Sequence, residues 1–268
     1  KPRITFLHHV HGPMWKQILP GPLAAVGRAV EAKVAPLFYR RTLTLTPSDA
    51  TRDELLHLGF RPERTIALPN GVDDDFQPGG HRAAVPTIVC VGRLAPVKRQ
   101  DRLIEAAVVA KQRVPDVQVV IVGEGPLRPE LEAAIHRHDA GRWITLAGRL
   151  SRAELVSLYQ QAWLVTSASL AEGWGLTLTE AAACGTPAVA SDIRGHRSSV
   201  VDGVTGVLAP LDRLGDALAD VLLDDALRTR LGVAALQRAR TLTWDASATG
   251  VLRGLHSQVM ARSSRLRL

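Results

Sequence analysis

The sequence predicts an α/β fold built on a parallel, doubly wound sheet, and three observations carry that expectation. From Thr87 onward, short continuous apolar runs alternate with helix-length segments, the pattern of strands buried on both faces. Glycine-bearing loops follow those strands, on the edge where such sheets receive ligands. Aromatic residues make up 4% of the 268 positions and hydrophobic residues 46%, so a core of this size rests on Ala, Val and Leu.

The elements follow in order. Residues 4–7 read as a buried strand that leads into His8-His9-Val10-His11. After the turn Pro20-Gly21-Pro22, residues 23–39 have helical spacing and carry Arg28, Lys33, Arg40 and Arg41 at or beside one face. Such a face suits an anionic lipid surface or simply water. Residues 43–45 form a strand, Ser48 caps a helix that runs to Leu58, and Gly59 stops it. A strand at 65–68 ends in Pro69-Asn70-Gly71-Val72-Asp73-Asp74-Asp75, and the proline- and glycine-rich stretch 77–86 reads as a linker, with a domain boundary near residue 80. Strands are then expected at 87–91, 117–122, 143–146, 163–167 and 187–190, with helices at 98–113 and 127–139 between them. A further helix opens on the Ser151/Glu154 capping box, and another ends at Gly185. Helices at 211–223 and 226–240 follow, then Trp244 opens a last helix to about Met260 and a basic, frayed tail at 262–267.

Charge narrows the partners. The net charge of +7 is carried almost wholly by arginine, the lysines being Lys1, Lys16, Lys33, Lys98 and Lys111. That balance favours phosphates or acidic lipid, while the aromatic-interleaved basic patch of a nucleic-acid binder is absent. Cys90 and Cys184 sit in apolar runs and read as buried thiols of a reducing compartment. No apolar run approaches ~18 residues, and no signal peptide is visible, so the expected location is cytoplasmic, peripheral to the inner membrane face if the basic helix engages lipid. Few lysines beside many Arg, Ala and Val suit a high-GC bacterial genome.

The chemistry concentrates in a few loops. Glu172-Gly173-Trp174-Gly175-Leu176 reads as a loop entering a helix, where free backbone N–H groups and the positive dipole end receive an anion. Glu172 and Glu180 bracket that turn, and carboxylates accept hydrogen bonds from vicinal diols; a phosphate flanked by sugars fits both. Gly92-Arg93 and Lys98 put a forked cation and a point charge near a glycine, a pairing suited to a diphosphate. Gly123-Glu124-Gly125 lacks the third glycine and the distant acid of a dinucleotide fingerprint, which counts against an NAD-dependent oxidoreductase. His8, His9 and His11 have no Cys or carboxylate nearby in sequence to complete a zinc set, and Asp73-Asp74-Asp75 reads as a turn more readily than as a metal site. A sugar epimerase of the same architecture is a closer competitor.

Together the loops resemble the retaining nucleotide-sugar glycosyltransferases of the GT-B fold, family four. Val91-Gly92-Arg93-Leu94 with Lys98, Val122-Gly123-Glu124-Gly125-Pro126-Leu127, Glu172-Gly173-Trp174-Gly175-Leu176 with Glu180, and Asp202-Gly203-Val204-Thr205-Gly206 match that family in order and spacing, and Pro69-Asn70-Gly71-Val72-Asp73 matches its hinge. The resemblance implies three parts: residues 1–80 as a partial N-terminal Rossmann-like domain with the hinge, residues 81–243 as a complete Rossmann-like donor-binding domain, and residues 244–268 as a helix returning to the first part. It implies that Arg93 and Lys98 hold the donor diphosphate, Glu172 the transferred sugar, the Gly173–Leu176 amides sugar or phosphate, and Glu180 the ribose. Gly92 belongs to the same donor site, and Gly123, Glu124, Gly125, Pro126 and Leu127 would line the base pocket. His9 or His11 would stand near the sugar. Transfer would need no metal and no cofactor beyond the nucleotide-sugar co-substrate, and would proceed with retention to a lipid-linked, polyprenyl-linked, glycan or small-molecule acceptor, in a setting such as cell-envelope glycan synthesis.

Two departures stand out. Ser198 occupies a loop position where the family carries an acid. The chain also opens Lys1-Pro2-Arg3 without Met and meets a strand at once, whereas a full N-terminal domain needs roughly a hundred more residues before the hinge. The expectation is a missing N-terminal segment or a partner subunit; the alternative to an active transferase is a non-catalytic nucleotide-sugar-binding half or an inactive fragment.

Overall fold

The computed structural model describes residues 3–265. The chain divides into two compact units, one formed by Lys1–Gly71 with Leu242–Leu268 and the other by Val72–Thr241.

In the first unit, strands β1 (Ile4–Phe6), β2 (Leu43–Thr46) and β3 (Thr65–Ala67) form a parallel sheet in that order. The crossover from β1 to β2 is helical but broken. It comprises α1 (Trp15–Ile18), α2 (Gly21–Ala29), a π turn over Val30–Val34 and α3 (Ala35–Tyr39). The single helix expected over 23–39 is interrupted because Pro36 has no N–H for the Ala32 carbonyl and its ring crowds that carbonyl, so the backbone takes up the wider π spacing. Helix α4 (Asp49–His57) starts where the sequence says it must: the Ser48 hydroxyl accepts from the Thr51 N–H at 3.0 Å, and Gly59 leaves the helix at φ +91°.

The second unit alternates as expected. It runs β4 (Thr87–Val91), α5 (Gln100–Arg113), β5 (Gln118–Val122), α6 (Arg128–Arg137), β6 (Ile144–Gly148), α7 (Arg152–Gln161), β7 (Leu164–Ser167) and α8 (Leu176–Ala183). It continues with β8 (Ala188–Ser191), α9 (Arg194–Ser199), β9 (Gly206–Ala209), α10 (Leu214–Leu223) and α11 (Asp225–Ala239). All six strands are parallel, in the order β6-β5-β4-β7-β8-β9. The chain steps outward from β4 to β6 and then returns to lay β7 against the other side of β4. That reversal opens a crevice between the loops that follow β4 and β7. Ile88, Val89, Leu103, Ile104, Leu164, Leu218 and Leu231 are fully buried in an almost aromatic-free core. Helix α12 (Trp244–Arg265) belongs to the first unit, where Gly250 and Gly254 let its backbone approach Leu68 and Leu43. Of the expected frayed tail, residues 262–265 are helical, and Leu266 and Arg267 lie outside the described residues.

Three expectations need correction. The division falls at Gly71 and not near residue 80, because the glycine-rich stretch is stitched to the second unit. There Gln160 donates to the Gln77 carbonyl at 2.8 Å, and Trp163 donates to the Ala83 carbonyl at 2.8 Å. The helix expected from Lys98 starts at Gln100, after a 3-10 turn over Pro96–Lys98 and a left-handed Arg99 at φ +49°. The motif glycines Gly203 and Gly206, expected like the other glycine loops on the carboxyl edge, lie at the amino end of β9; a Cβ on Gly206 would stand 2.5 Å from the Ala188 carbonyl oxygen, so this glycine serves strand packing. Helix α9 and strand β9 were not anticipated at all.

Candidate functional site

The crevice between β4 and β7 is built by backbones in close approach. Gly123 leaves β5 at φ +139°, and a Cβ there would meet the Gly92 carbonyl oxygen at 2.1 Å; one on Gly125 would meet the Leu94 carbonyl oxygen at 2.2 Å. The two loops are joined by Leu94 N–H to the Glu124 carbonyl at 3.0 Å and Leu127 N–H to the Leu94 carbonyl at 3.2 Å. Gly92, Gly123 and Gly125 thus fix the floor. Glu124 and Pro126 are exposed on it, while Leu127 turns against the core. Glu124 reaches Arg128 at 3.4 Å.

Lys98 and Glu172 meet across the crevice, Nζ to Oε1 at 2.5 Å. The Ser169 hydroxyl, fully buried, donates to the same carboxylate oxygen at 2.8 Å. Val97 accepts from the Leu170 N–H at 2.8 Å, so the 3-10 turn that carries Lys98 and the loop that carries Glu172 are also tied by backbone. Arg93 is exposed at the mouth, and its guanidinium has no ion pair or hydrogen bond among the described residues. Gly175, at φ +99°, caps α8 and frees its first amides toward the crevice, with Gly173 half-buried and Leu176 exposed beside it. Trp174 is buried, its indole N–H without a partner among the described residues.

Helix α9 supports this loop from below. A Cβ on Gly195 would lie 2.1 Å from the Glu172 carbonyl oxygen, so only glycine lets α9 come this close. His196 is fully buried, its Nδ1–H donating to the Ser191 carbonyl at 2.8 Å, while the Ser191 hydroxyl donates to the Ser169 carbonyl at 2.7 Å. Its Cδ2 edge faces Gly175, and Nε2 has no partner among the described residues. Burial holds the imidazole below its ordinary pKa and therefore neutral. Ser198, where the family pattern carries an acid, donates to the Arg194 carbonyl at 3.3 Å.

Glu180 lies on the α7 side of α8. Its Oε2 accepts from the Tyr159 hydroxyl at 3.2 Å. Burial raises its pKa, opposed by the Tyr159 hydrogen bond and by Arg152. Arg152 in turn pairs with Asp73 at 2.5 Å and Asp75 at 3.8 Å and lies over the Phe76 ring at 5.2 Å, which settles two of the three aspartates as partners of an arginine.

The first unit holds a separate cluster. His9 and His11 follow β1 with ring centroids 4.3 Å apart, and His11 stacks on Trp15 at 4.6 Å. Glu31, delivered by the π turn, accepts the His11 and Gly12 N–H groups at 2.7 Å each and the Trp15 indole at 3.1 Å. The sequence signal for Glu31 was its isolation as the one acid between residues 21 and 41. Among the described residues no three His, Cys, Asp or Glu side chains are grouped to hold a metal ion. Cys90 and Cys184 are free and buried, and burial pushes both thiols up to about 12.

A cavity of about 410 Å³ opens at the opposite, amino edge of the second sheet, lined by Arg82, Trp163, Cys184 and Arg228 among others. Its arginines are turned to carbonyl oxygens: Arg82 donates to Gly185 at 2.6 Å and Arg228 to Leu222 at 2.8 Å, at helix C-termini. The convergent chemistry therefore lies in the crevice.

Comparison with known proteins identifies the family and the fold. The family described as "Glycosyl transferases group 1" matches residues 72–238, and "Glycosyltransferase Family 4" matches residues 1–76. D-inositol 3-phosphate glycosyltransferases are similar: that of Kribbella flavida is 34% identical over 234 residues, covering 78% of this chain and 54% of the relative. That of Frankia alni is 36% identical over 231 residues, covering 76% and 56%. The chain thus spans about half the length of the curated relatives it matches. Among solved structures, Anabaena HepE with UDP and glucose superposes with a TM-score of 0.81 at 22% identity, over 96% of this chain and 72% of that one. A Staphylococcus aureus TarM mutant with UDP superposes at 0.78 and 21% identity, over 93% and 50%. These likenesses show a GT-B-type α/β fold. No helix among the described residues is long and apolar enough to cross a membrane.

Proposed function

The chain belongs to the group 1 glycosyl transferases, and from that premise we propose that it moves a hexosyl group from a nucleoside-diphosphate sugar to an acceptor hydroxyl with retention of configuration. One observation carries the reading: the Lys98–Glu172 pair, with Arg93 five residues before Lys98 and unpartnered among the described residues, in a switch-point crevice capped by the α8 N-terminus. An ammonium, a guanidinium and the amides at a helix start are the groups that would bind a diphosphate.

The residues then take the following roles. Lys98 and Arg93 bind the diphosphate and stabilise the charge that builds on it as the glycosidic bond breaks. Glu172 aims Lys98 and accepts hydrogen bonds from the sugar hydroxyls, while the Gly173–Leu176 backbone cradles sugar or phosphate. The C1–O bond to the diphosphate breaks, the acceptor oxygen bonds to C1 from the same face, and the departing phosphate takes the acceptor's proton. No second carboxylate is assigned as a covalent nucleophile. Glu180 holds the ribose, and Gly123 to Leu127 border the base. His9 and His11 are assigned to the sugar side of the reaction.

The names of the curated relatives make D-inositol 3-phosphate the first acceptor to assay. A lipid- or polyprenyl-linked acceptor is the second, supported by exposed Leu23, Val26, Leu37 and Phe38 among the basic residues of the first crossover; it goes with a cytoplasmic protein peripheral to the membrane. The test is calorimetry with UDP, GDP and ADP on the wild type and on Arg93→Ala. Micromolar binding of one diphosphate, weakened in the variant, supports the donor site. A folded chain that binds none of them would overturn it.

A further inference from the structure

Tyr159 has no assigned part in this site. It is fully buried on α7, and its ring packs against Phe76 with centroids 5.9 Å apart, where Phe76 is itself covered by Arg152. A tyrosine at this depth in a core poor in aromatics needs a reason for its hydroxyl, because an unpaired buried O–H is costly. The hydroxyl has one acceptor, Oε2 of Glu180, at 3.2 Å. Oε1 of that carboxylate accepts no hydrogen bond among the described residues. A carboxylate has about four lone-pair sites on two oxygens, so anchoring one oxygen fixes the plane of the group and presents the other.

We propose that Tyr159 is the positioning residue for Glu180: it fixes the carboxylate through Oε2 so that Oε1 faces the ribose hydroxyls, and so sets the preference of this site for ribonucleotides over deoxynucleotides. The inference rests on the reading of Glu180 as the ribose ligand. The groups around that carboxylate are few: Tyr159 and Arg152 on α7, and Asp73 on the segment that Arg152 clasps. Arg152 supplies charge, and among the described residues Tyr159 alone supplies a neutral, directional donor. The bland alternative is that Tyr159 fills core volume and its hydroxyl takes the nearest acceptor. In that case the oxygen matters to stability and not to which sugar is bound.

The experiment measures calorimetric affinity for the tightest of UDP, GDP and ADP and for its 2′-deoxy and 3′-deoxy forms, in the wild type, Tyr159→Phe and Glu180→Gln. The expected result is a ribo preference in the wild type that shrinks roughly three- to tenfold in Tyr159→Phe, with deoxy affinity unchanged, as the loss of one hydrogen bond predicts. The acid limb of ribonucleotide binding should also move to higher pH in Tyr159→Phe, because the donor that favours the ionised carboxylate is gone. A preference abolished by Glu180→Gln and intact in Tyr159→Phe overturns the Tyr159 inference and leaves Glu180 as the ribose ligand. Equal affinity of the wild type for ribo and deoxy forms overturns both, and so does a folded wild type that binds no diphosphate. Should Tyr159→Phe not fold, fluorotyrosine labelling of the wild type decides, since the chain has two tyrosines and Tyr39 lies in the other unit. A Tyr159 fluorine signal that moves with the ribonucleotide and less with its deoxy forms is expected. Identical movement with both overturns the inference.

Discussion

The Lys98 ammonium stands 2.5 Å from Oε1 of Glu172, across the crevice that separates β4 from β7. Both groups are half-buried, so the pair is less screened than a surface ion pair, yet it remains open to a competing anion. Under the proposed function, Glu172 would hold Lys98 in position until a more highly charged diphosphate takes it, with the Ser169 hydroxyl keeping Glu172 in place meanwhile. On the proposed reading, Lys98 is aimed before the donor arrives, while Arg93 is not yet engaged.

Glu172→Gln keeps the shape of that contact and removes its charge. Turnover should fall about 10²- to 10³-fold, the cost typical of losing one preorganised electrostatic contact to a transition state. Affinity for the bare diphosphate should hold or rise, because Lys98 loses its competing carboxylate. Steady-state rates and calorimetry on the same preparation check both halves. Full turnover in the variant would remove Glu172 from the reaction.

Arg93→Ala takes away an exposed side chain with no partner among the described residues, so its melting temperature should match that of the wild type. Diphosphate affinity should fall about ten- to a hundredfold, the range for a charge-assisted hydrogen bond. The loss should shrink as salt is raised. An affinity unchanged at low salt would place the diphosphate elsewhere.

Much of the fold is legible in the sequence. The strand-and-helix alternation from Thr87 and the capping box at Ser151 and Glu154 are local signals, and local signals survive folding. The boundary near residue 80 failed because Pro78, Gly79 and Gly80 look flexible, while what holds that stretch is remote: Gln160 and Trp163, about eighty residues away. Helix α9 was missed because His196 and Ser199 are polar yet buried, which erases the amphipathic pattern. Tyr159, Ser169 and His196 were invisible as site residues for a similar reason. Each acts through a partner that only the sheet order brings near.

Gly195→Ala tests the close approach of α9 to the Glu172 loop. The added Cβ would stand 2.1 Å from the Glu172 carbonyl oxygen, a backbone atom that can yield only by moving the loop. Stability should drop by about 1–3 kcal/mol, as for other overpacked sites. Turnover should drop about 10²-fold from misplacement of Glu172 by the order of 1 Å. Gly141→Ala, where the new Cβ meets nothing within 4 Å, is the control. Equal behaviour of the two variants would mean that the loop has slack.

Charge on the departing diphosphate is assigned to Arg93 and Lys98, so turnover should be unaffected by EDTA. The measurement is the rate before and after chelation, with added magnesium as the reverse arm. Loss on chelation and recovery with magnesium would transfer that role to a metal.

His196 supplies a pH signature. Burial depresses its folded pKa below the ordinary 6.5, while the unfolded chain titrates near that value. Below about pH 6.5 the unfolded state therefore binds the extra proton and the folded state does not. The stability that this group contributes is complete above that pH and is lost as the pH falls toward the folded pKa, with a slope of up to about 1.4 kcal/mol per pH unit. His196→Asn keeps an N–H for the Ser191 carbonyl and cannot take up a proton, so its stability should fall less than that of the wild type between pH 7.5 and 5.5. Urea unfolding of both proteins at the two pH values isolates the difference, since every other titrating group is shared. Parallel losses would mean that the folded protein admits the proton at His196 as readily as the open chain does, and that the ring is not sealed beneath the Glu172 loop.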